Sequence, residues 1–455
     1  MPLTPSPTAR TADRTGRRTL VGAIALGLAV AVAPALSPAL TAEAAAQASS
    51  NMPDHTAFYT PPAELPGENG AVIRSEPTAI TPSLPDLANG GALPADARRI
   101  MYRSTGAAGG PVAVTGTYLQ PKVPWAGPGP RPLAVVTPGT QGQGDQCAPS
   151  RSMEVGLGVS TAPPSMAAGY ALLDAYSMLA EGFAVVVTDY EGLGTPGAHP
   201  YVNRDSQGRA ALDAARAATR LDGTDLARDS KTVVSGYSQG GGAAAAAGEM
   251  QPAYAPDVNL VGIAAGAPPS DMLGTLERVD GGLLTGAVGY AINGILQVHP
   301  ELRAAFDRQF NDAGRRMLDV TAGQCVAETA FAYGLHRTSE FTRDGRSLAD
   351  AARSEPEIVR VLEGYNLGKV APKVPALVLG GRHDDVVPHD TVVNLARKWC
   401  AQGTPVQMKT VELPGLAPGL VLDHALPMLV ERDTNARFLM DRVHGVPPVN
   451  NCATL

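Results

Sequence analysis

The stretch Val233–Gly242, reading V-V-S-G-Y-S-Q-G-G-G, constrains this chain more than any other. A β-branched run ending at Ser235 reads as a buried strand, and the alanine run 243–247 reads as a helix. The residues between, Gly236-Tyr237-Ser238-Gln239-Gly240, fall on a sharp strand-to-helix turn of the nucleophile-elbow kind. A glycine on either side of Ser238 lets strand and helix pass closely, and the turn lifts the serine hydroxyl above the sheet. The next N–H, that of Gln239, then sits at a helix N-terminus and can face a developing oxyanion. G-x-S-x-G is weak as a bare pattern in so glycine-rich a chain. Its position between strand and helix is what favours this reading over a turn that merely lets two elements pack.

A length of 455 residues allows one large core or two domains. The formal net charge of -7 leaves no basic footprint, and no Lys/Arg-rich run follows the first twenty residues, so nucleic acid is not an expected partner. Residues 1–48 read as an export signal. Arg10, Arg14, Arg17 and Arg18 precede an apolar run from Leu20 to Leu36, and small residues with A-x-A patterns follow it. A membrane anchor fits less well, because Pro34 and Pro38 interrupt the run and no charged stop-transfer flank follows. The Arg17-Arg18 pair is compatible with twin-arginine export. The expected location is therefore extracellular. In an exported chain Cys147, Cys325, Cys400 and Cys452 are expected as disulfides, and they show no C-x-x-C metal spacing. Three pairings are formally possible. The favoured one joins Cys147 to Cys325 and Cys400 to Cys452.

Residues 49–95, rich in proline and polar side chains, read as a loosely structured arm. A hairpin is expected from Arg99–Ser104 and Pro111–Leu119, followed by a buried strand at Pro132–Val136. That strand feeds a glycine-rich loop, 137–145, where a second oxyanion donor belongs. A helix over Ala171–Glu181 and a strand over Phe183–Thr188 lead to Asp189 and Glu191, which read as structural or pocket-lining. A helix over Gly208–Leu221 precedes the elbow, and a strand over Asn259–Ala265 follows it. The strand–helix alternation then stops until Pro375. The intervening segment, 268–373, reads as a helical cap, with helices expected over Gly282–Val298, Glu301–Phe310 and Glu355–Leu362. Its apolar run Leu283–Val298 fits a core helix and a lipid-facing lid equally well. The domain plan is an arm at 49–95, a first core part at 96–267, the cap, and a second core part at 374–455.

A serine nucleophile needs a base, and the base needs a buried acid to fix its tautomer. In the strand-elbow-helix arrangement the chain order is serine, acid, histidine. The strand at 376–379 runs into G-G-R-H-D-D-V-V-P, where Asp384 is the expected acid. Asp385 is the alternative; otherwise it is left to face solvent or cap the next helix. His424, on the loop after the strand at 407–412, is the expected base and opens the last helix.

With these residues in place, the chain resembles the secretory lipase family, the fungal lipase A type and its actinobacterial relatives. The matching segments are Gly139–Ser150, Thr188–Tyr201, Gly236–Gly240, Gly380–Pro388, and Asp423-His424 with the helix end Phe438–Pro447. The resemblance implies an α/β-hydrolase fold: a mostly parallel central sheet with flanking helices and an inserted helical cap. It implies no metal or organic cofactor and hydrolysis of lipid esters. The expected partner is a small-molecule or lipid ester substrate, met at a lipid–water interface, and the expected state is a monomer. It places nucleophile, acid and base at Ser238, Asp384 and His424, and gives Asp145 a part in the oxyanion hole beside Gln239. An ionised carboxylate repels an oxyanion, so Asp145 would have to be protonated or act through its backbone N–H. Gln239 departs from the fungal type, which has glycine there, and its side chain is expected to narrow or polarise the pocket. The leading expectation is a secreted lipase or short-chain esterase. A polyester or cell-wall esterase comes next, then a secreted peptidase, then a hydrolase-like protein that only binds.

Overall fold

The computed structural model describes residues 50–53, 55–83, 93–161 and 164–455, and the export signal expected over 1–48 lies outside them. The first elements are a short helix α1 (Thr56–Tyr59), strand β1 (Val72–Thr78) and the long hairpin β2 (Ala95–Thr105) and β3 (Pro111–Pro121). β1 pairs antiparallel with β2, from Val72 opposite Tyr102 to Thr78 opposite Ala97. The arm expected to be loosely structured thus contributes a sheet edge, which corrects that expectation. Its sequence, V-I-R-S-E-P-T, hides the strand because an edge is half solvated and tolerates proline.

After the hairpin come β4 (Leu133–Thr137), α2 (Pro149–Val155), the small hairpin β5 (Leu157–Thr161) and β6 (Pro164–Ala168), and α3 (Ala171–Ala180). They are followed by β7 (Ala184–Thr188), α4 (Arg204–Ala218), β8 (Thr232–Tyr237), α5 (Gln239–Tyr254) and β9 (Leu260–Gly266). β4, β7 and β8 are buried at every residue, which is why they read as unbroken apolar runs. Each valine so enclosed contributes about 2 kcal/mol. Helix α4 starts four residues earlier than its pattern suggested, because the Asn203 side chain accepts the Ser206 N–H and caps it there.

Between β9 and the next strand the described residues form helices only: α6 (Met272–Val279), α7 (Ala287–Val298), α8 (Arg303–Gln309), α9 (Asp312–Thr321), α10 (Val326–Tyr333), α11 (Leu348–Arg353) and α12 (Pro356–Tyr365). The alternation resumes with β10 (Ala376–Gly381), α13 (His389–Ala401), β11 (Val406–Val411) and α14 (Leu422–Val443). The strands form one nine-stranded sheet in the order β1-β2-β3-β7-β4-β8-β9-β10-β11, parallel from β7 to β11 and antiparallel at the β1–β3 end. This mostly parallel sheet with helices on its faces is the α/β-hydrolase arrangement, and β8 with its elbow lies at its centre.

Two disulfides join distant parts of the chain: Cys147 to Cys325, and Cys400 to Cys452. The first ties the loop after β4 to the N-terminus of α10. Gln143 N and Val326 N add backbone bonds to Gln324 O at 2.9 Å and Gln141 O at 2.8 Å across the same seam. The glycines of this loop have a packing reason. A Cβ at Gly142 would stand 2.4 Å from Cys325 Cα, and one at Gly144 would stand 2.6 Å from Gly323 O.

Candidate active site

Ser238 occupies the turn between β8 and α5 with φ 59° and ψ -125°, a conformation that costs a non-glycine residue on the order of 1–3 kcal/mol. The surroundings enforce it. Ser238 N donates to Gly266 O at 2.9 Å. A Cβ at Gly236 would come within 2.2 Å of Thr137 Oγ1, and one at Gly240 within 1.9 Å of Thr137 O. The glycines are therefore required by the close passage of α5 over β4. Ser238 is half-buried and lies on the wall of a cavity.

His424 and Asp384 meet below the same rim. Nδ1 of His424 lies 2.9 Å from Asp384 Oδ1 and 2.8 Å from Oδ2, and both residues are buried. Asp384 Oδ1 also accepts the N–H groups of Val386 (2.9 Å) and Val387 (2.8 Å), which fixes the carboxylate in the turn after β10. With Nδ1 bonded to a carboxylate, the tautomer leaves Nε2 as the basic nitrogen. Tyr237, the residue before Ser238, brings this pair to the elbow. Its hydroxyl donates to the His424 carbonyl at 2.8 Å, and the two rings lie 5.1 Å apart. Among the described residues no hydrogen bond joins Ser238 Oγ to the His424 ring; such bonds often tighten only in the substrate complex.

Asp385 neither faces solvent nor caps the helix that follows it. Its carboxylate is buried and accepts Val421 N at 2.8 Å and His424 N at 3.1 Å, holding the first turn of α14. Burial pushes its carboxyl above the usual range, while the Val421 N–H pulls it back down. Sequence reasoning had no signal for this contact, which spans separate loops.

Two other expectations change. Asp145 opens a single 3-10 turn, is exposed, and uses Oδ1 to accept Gly194 N at 3.1 Å. It does not line the cavity that holds Ser238; Thr140 of the same loop does, beside Gln239. The end of the loop is held instead by the Cys147–Cys325 disulfide and by Gln146 Nε2, which donates to Gly323 O at 2.7 Å. The Gln239 side chain is not free to polarise the pocket either. Its Nε2 lies 2.9 Å from His199 Nε2, and His199 Nδ1 lies 2.7 Å from Glu191 O. A carbonyl at Nδ1 requires the proton there, so Nε2 is the acceptor for the Gln239 amide. Burial holds this histidine neutral and lowers its pKa to about 4.

Asp189 and Glu191 are structural. Asp189 is buried and takes bonds from Thr115 Oγ1 and Ser150 N, and Glu191 takes the Ala107 N–H.

The cavity above Ser238 is enclosed by the cap. Its walls come from α6 (Leu276, Val279), α7 (Ala291, Ile292, Ile295) and α8 (Phe306), with α11 and α12 beyond. Helix α7 is thus a wall rather than a lipid-facing surface. Its Asn293 points the other way, donating to Gln143 Oε1 at 3.0 Å and to Leu318 O at 2.9 Å.

Known proteins resemble most of this arrangement. The secretory lipase family matches residues 158–451, a span that contains Ser238, Asp384 and His424 and leaves Asp145 outside. A secreted triacylglycerol lipase of Malassezia globosa, LIP4, is 25% identical over 405 residues, covering 88% of this chain and 83% of its own. A second one from that fungus, LIP7, is 27% identical over 399 residues, covering 86% and 79%. The closed state of Candida antarctica lipase A superposes with a TM-score of 0.70 at 23% identity, over 87% of both chains. A ligand-bound form of the rice cell wall degrading esterase LipA from Xanthomonas oryzae gives 0.66 at 21% identity, over 82% of this chain and 99% of that one. These structures share the fold, and the family match reaches beyond it: the chain belongs to the secretory lipase family, as a secreted lipase or esterase of the α/β-hydrolase fold.

Proposed function

We propose that the enzyme hydrolyses lipid esters, triacylglycerols foremost, through an acyl-enzyme formed on Ser238, with His424 as base and Asp384 as the acid that orients it. The observation that carries this reading is the buried Asp384–His424 contact beside an elbow serine that opens on an aliphatic cavity. His424 Nε2 takes the Ser238 proton as Oγ attacks the ester carbonyl, and Asp384 stabilises the resulting imidazolium. The N–H groups of Gln239 and of the 139–145 loop, whose Thr140 lines the same cavity, face the tetrahedral oxyanion. Imidazolium then protonates the leaving alcohol, and water repeats the cycle on the acyl-enzyme. The acyl chain lies along α6, α7 and α8, where aliphatic walls remove it from water. The Malassezia relatives, named for triacylglycerol hydrolysis, support this choice of substrate.

The test is a series of p-nitrophenyl esters from acetyl to palmitoyl, with emulsified triglyceride and organophosphonate labelling. The expected result is label on Ser238, lost in Ser238→Ala, and a rate maximum beyond acetyl with triglyceride turnover. A maximum at acetyl without triglyceride turnover removes the lipase assignment and leaves an esterase with the same chemistry.

A further inference from the structure

We propose that Asp385 is a positioning residue for the catalytic base, acting on the backbone of His424 where Asp384 acts on its ring. The inference rests on the triad reading above and extends it to a residue that reading does not use.

Three independent features of α14 support it. His424 is the third residue of that helix, so its N–H is one of the groups a helix cannot satisfy internally. The residue before the helix, Val421, has φ 68° and offers no side-chain cap, so the cap comes from another loop. Asp385 supplies it with both oxygens, one to Val421 N at 2.8 Å and one to His424 N at 3.1 Å. Pro427 lies in the second turn and has no N–H to give to the carbonyl of Asp423, four residues back, so the first turn is under-bonded from its own helix as well. The backbone that aims the imidazole is held from outside.

The charge acts in the same direction. The positive end of a 22-residue helix opposes formation of an imidazolium at its third position, and an anion bound at that end offsets the opposition. Asp384 and Asp385 together thus place two carboxylates around the nitrogen base as it acquires its proton. Arg278, Arg382, His383, His389, Asp390 and Asp423 line the polar cavity that borders the pair. They carry both signs; Tyr237 donates its hydroxyl to the His424 carbonyl, and Asp385 is the side chain that accepts the His424 N–H.

The experiment compares wild type with Asp385→Ala and Asp385→Asn on p-nitrophenyl butyrate. Each preparation is normalised by phosphonate titration of Ser238, and a melting curve is taken for each. Asp385→Ala is expected to lower kcat per titrated site by about tenfold to a hundredfold with KM within about twofold, since a small misplacement of a catalytic group has that effect. Asp385→Asn, which keeps an acceptor but loses the charge, is expected to recover part of the loss. In both variants the acid limb of the kcat/KM profile is expected to move to lower pH, because a nearby negative charge has been removed from the imidazole. Wild-type kcat per titrated site in both variants, with only the melting temperature lowered, overturns the proposal and leaves Asp385 a structural cap. If Asp385→Ala fails to fold, Asp385→Asn decides alone by its kcat and its acid limb. Hydrolysis persisting in Ser238→Ala removes the triad reading itself, and is told apart because it appears with Asp385 intact.

Discussion

At the rim of the sheet, Asp384, Asp385 and His424 are joined by short polar bonds drawn from loops about forty residues apart, and every contact has a defined donor and acceptor. A helix or two above, the cap meets the same space with aliphatic side chains whose only requirement is volume. On the proposed mechanism, the rim sets the reaction and the cap sets which acyl chain is brought to it. The two regions are expected to fail in different ways when altered, and the cap is fastened to the rim by Cys147–Cys325 and the backbone bonds beside it.

The sharpest way to break this division lies at the rim. Ser238→Ala is expected to lower kcat on the order of a millionfold while leaving the melting temperature near wild type, as read by ester turnover and calorimetry. Asp384→Asn is expected to cost roughly ten-thousandfold in kcat with KM little changed, because the amide favours the wrong imidazole tautomer. If either variant instead shifts acyl-chain preference at full rate, rim and cap are not separate devices.

Opening the seam is the next largest change. Replacing Cys147 and Cys325 together with serine releases a closure that spans 178 residues, and is expected to cost about 5 kcal/mol in denaturant titration. His199, which holds Gln239 in place, gives a pH-dependent term. Its folded pKa of about 4 lies below the ordinary 6.5, so the unfolded chain binds the proton first. Stability from this group is fully present above pH 6.5 and is lost as pH falls toward 4, by up to about 3 kcal/mol. Melting temperatures across that window should show the loss in wild type and not in His199→Phe. The smallest effect belongs to the cap: Ala291→Phe is expected to lower kcat/KM for long-chain esters about tenfold and leave acetyl esters unchanged.

Much of this organisation is legible in the amino-acid sequence. The elbow was readable because Gly236 and Gly240 are demanded by backbone contact, and β4, β7 and β8 because burial on both faces removes every polar side chain. The even cysteine count pointed to two disulfides and left three pairings open, of which the favoured one, loop to cap and tail to helix, is the one present. The rest was hidden for physical reasons. β1 is an edge and carries R-S-E-P in its middle, so it has no apolar signature. The role of Asp385 depends on how two loops meet, which no local pattern encodes. The glycines of the 139–145 loop were conspicuous, but their number spoke of a close approach to Cys325 and Gly323.

The helix that follows the nucleophile has a further consequence. Ala243–Ala247 are all fully enclosed, and a Cβ at Gly208 of α4 would stand 2.9 Å from Met250 Sδ and 3.0 Å from Ala246 C. A segment made of such residues has no alternative rotamers with which to absorb a bulkier neighbour. The floor under the elbow serine thus leaves little room for a bulkier side chain, and the space open to a substrate lies above it, among the inserted helices.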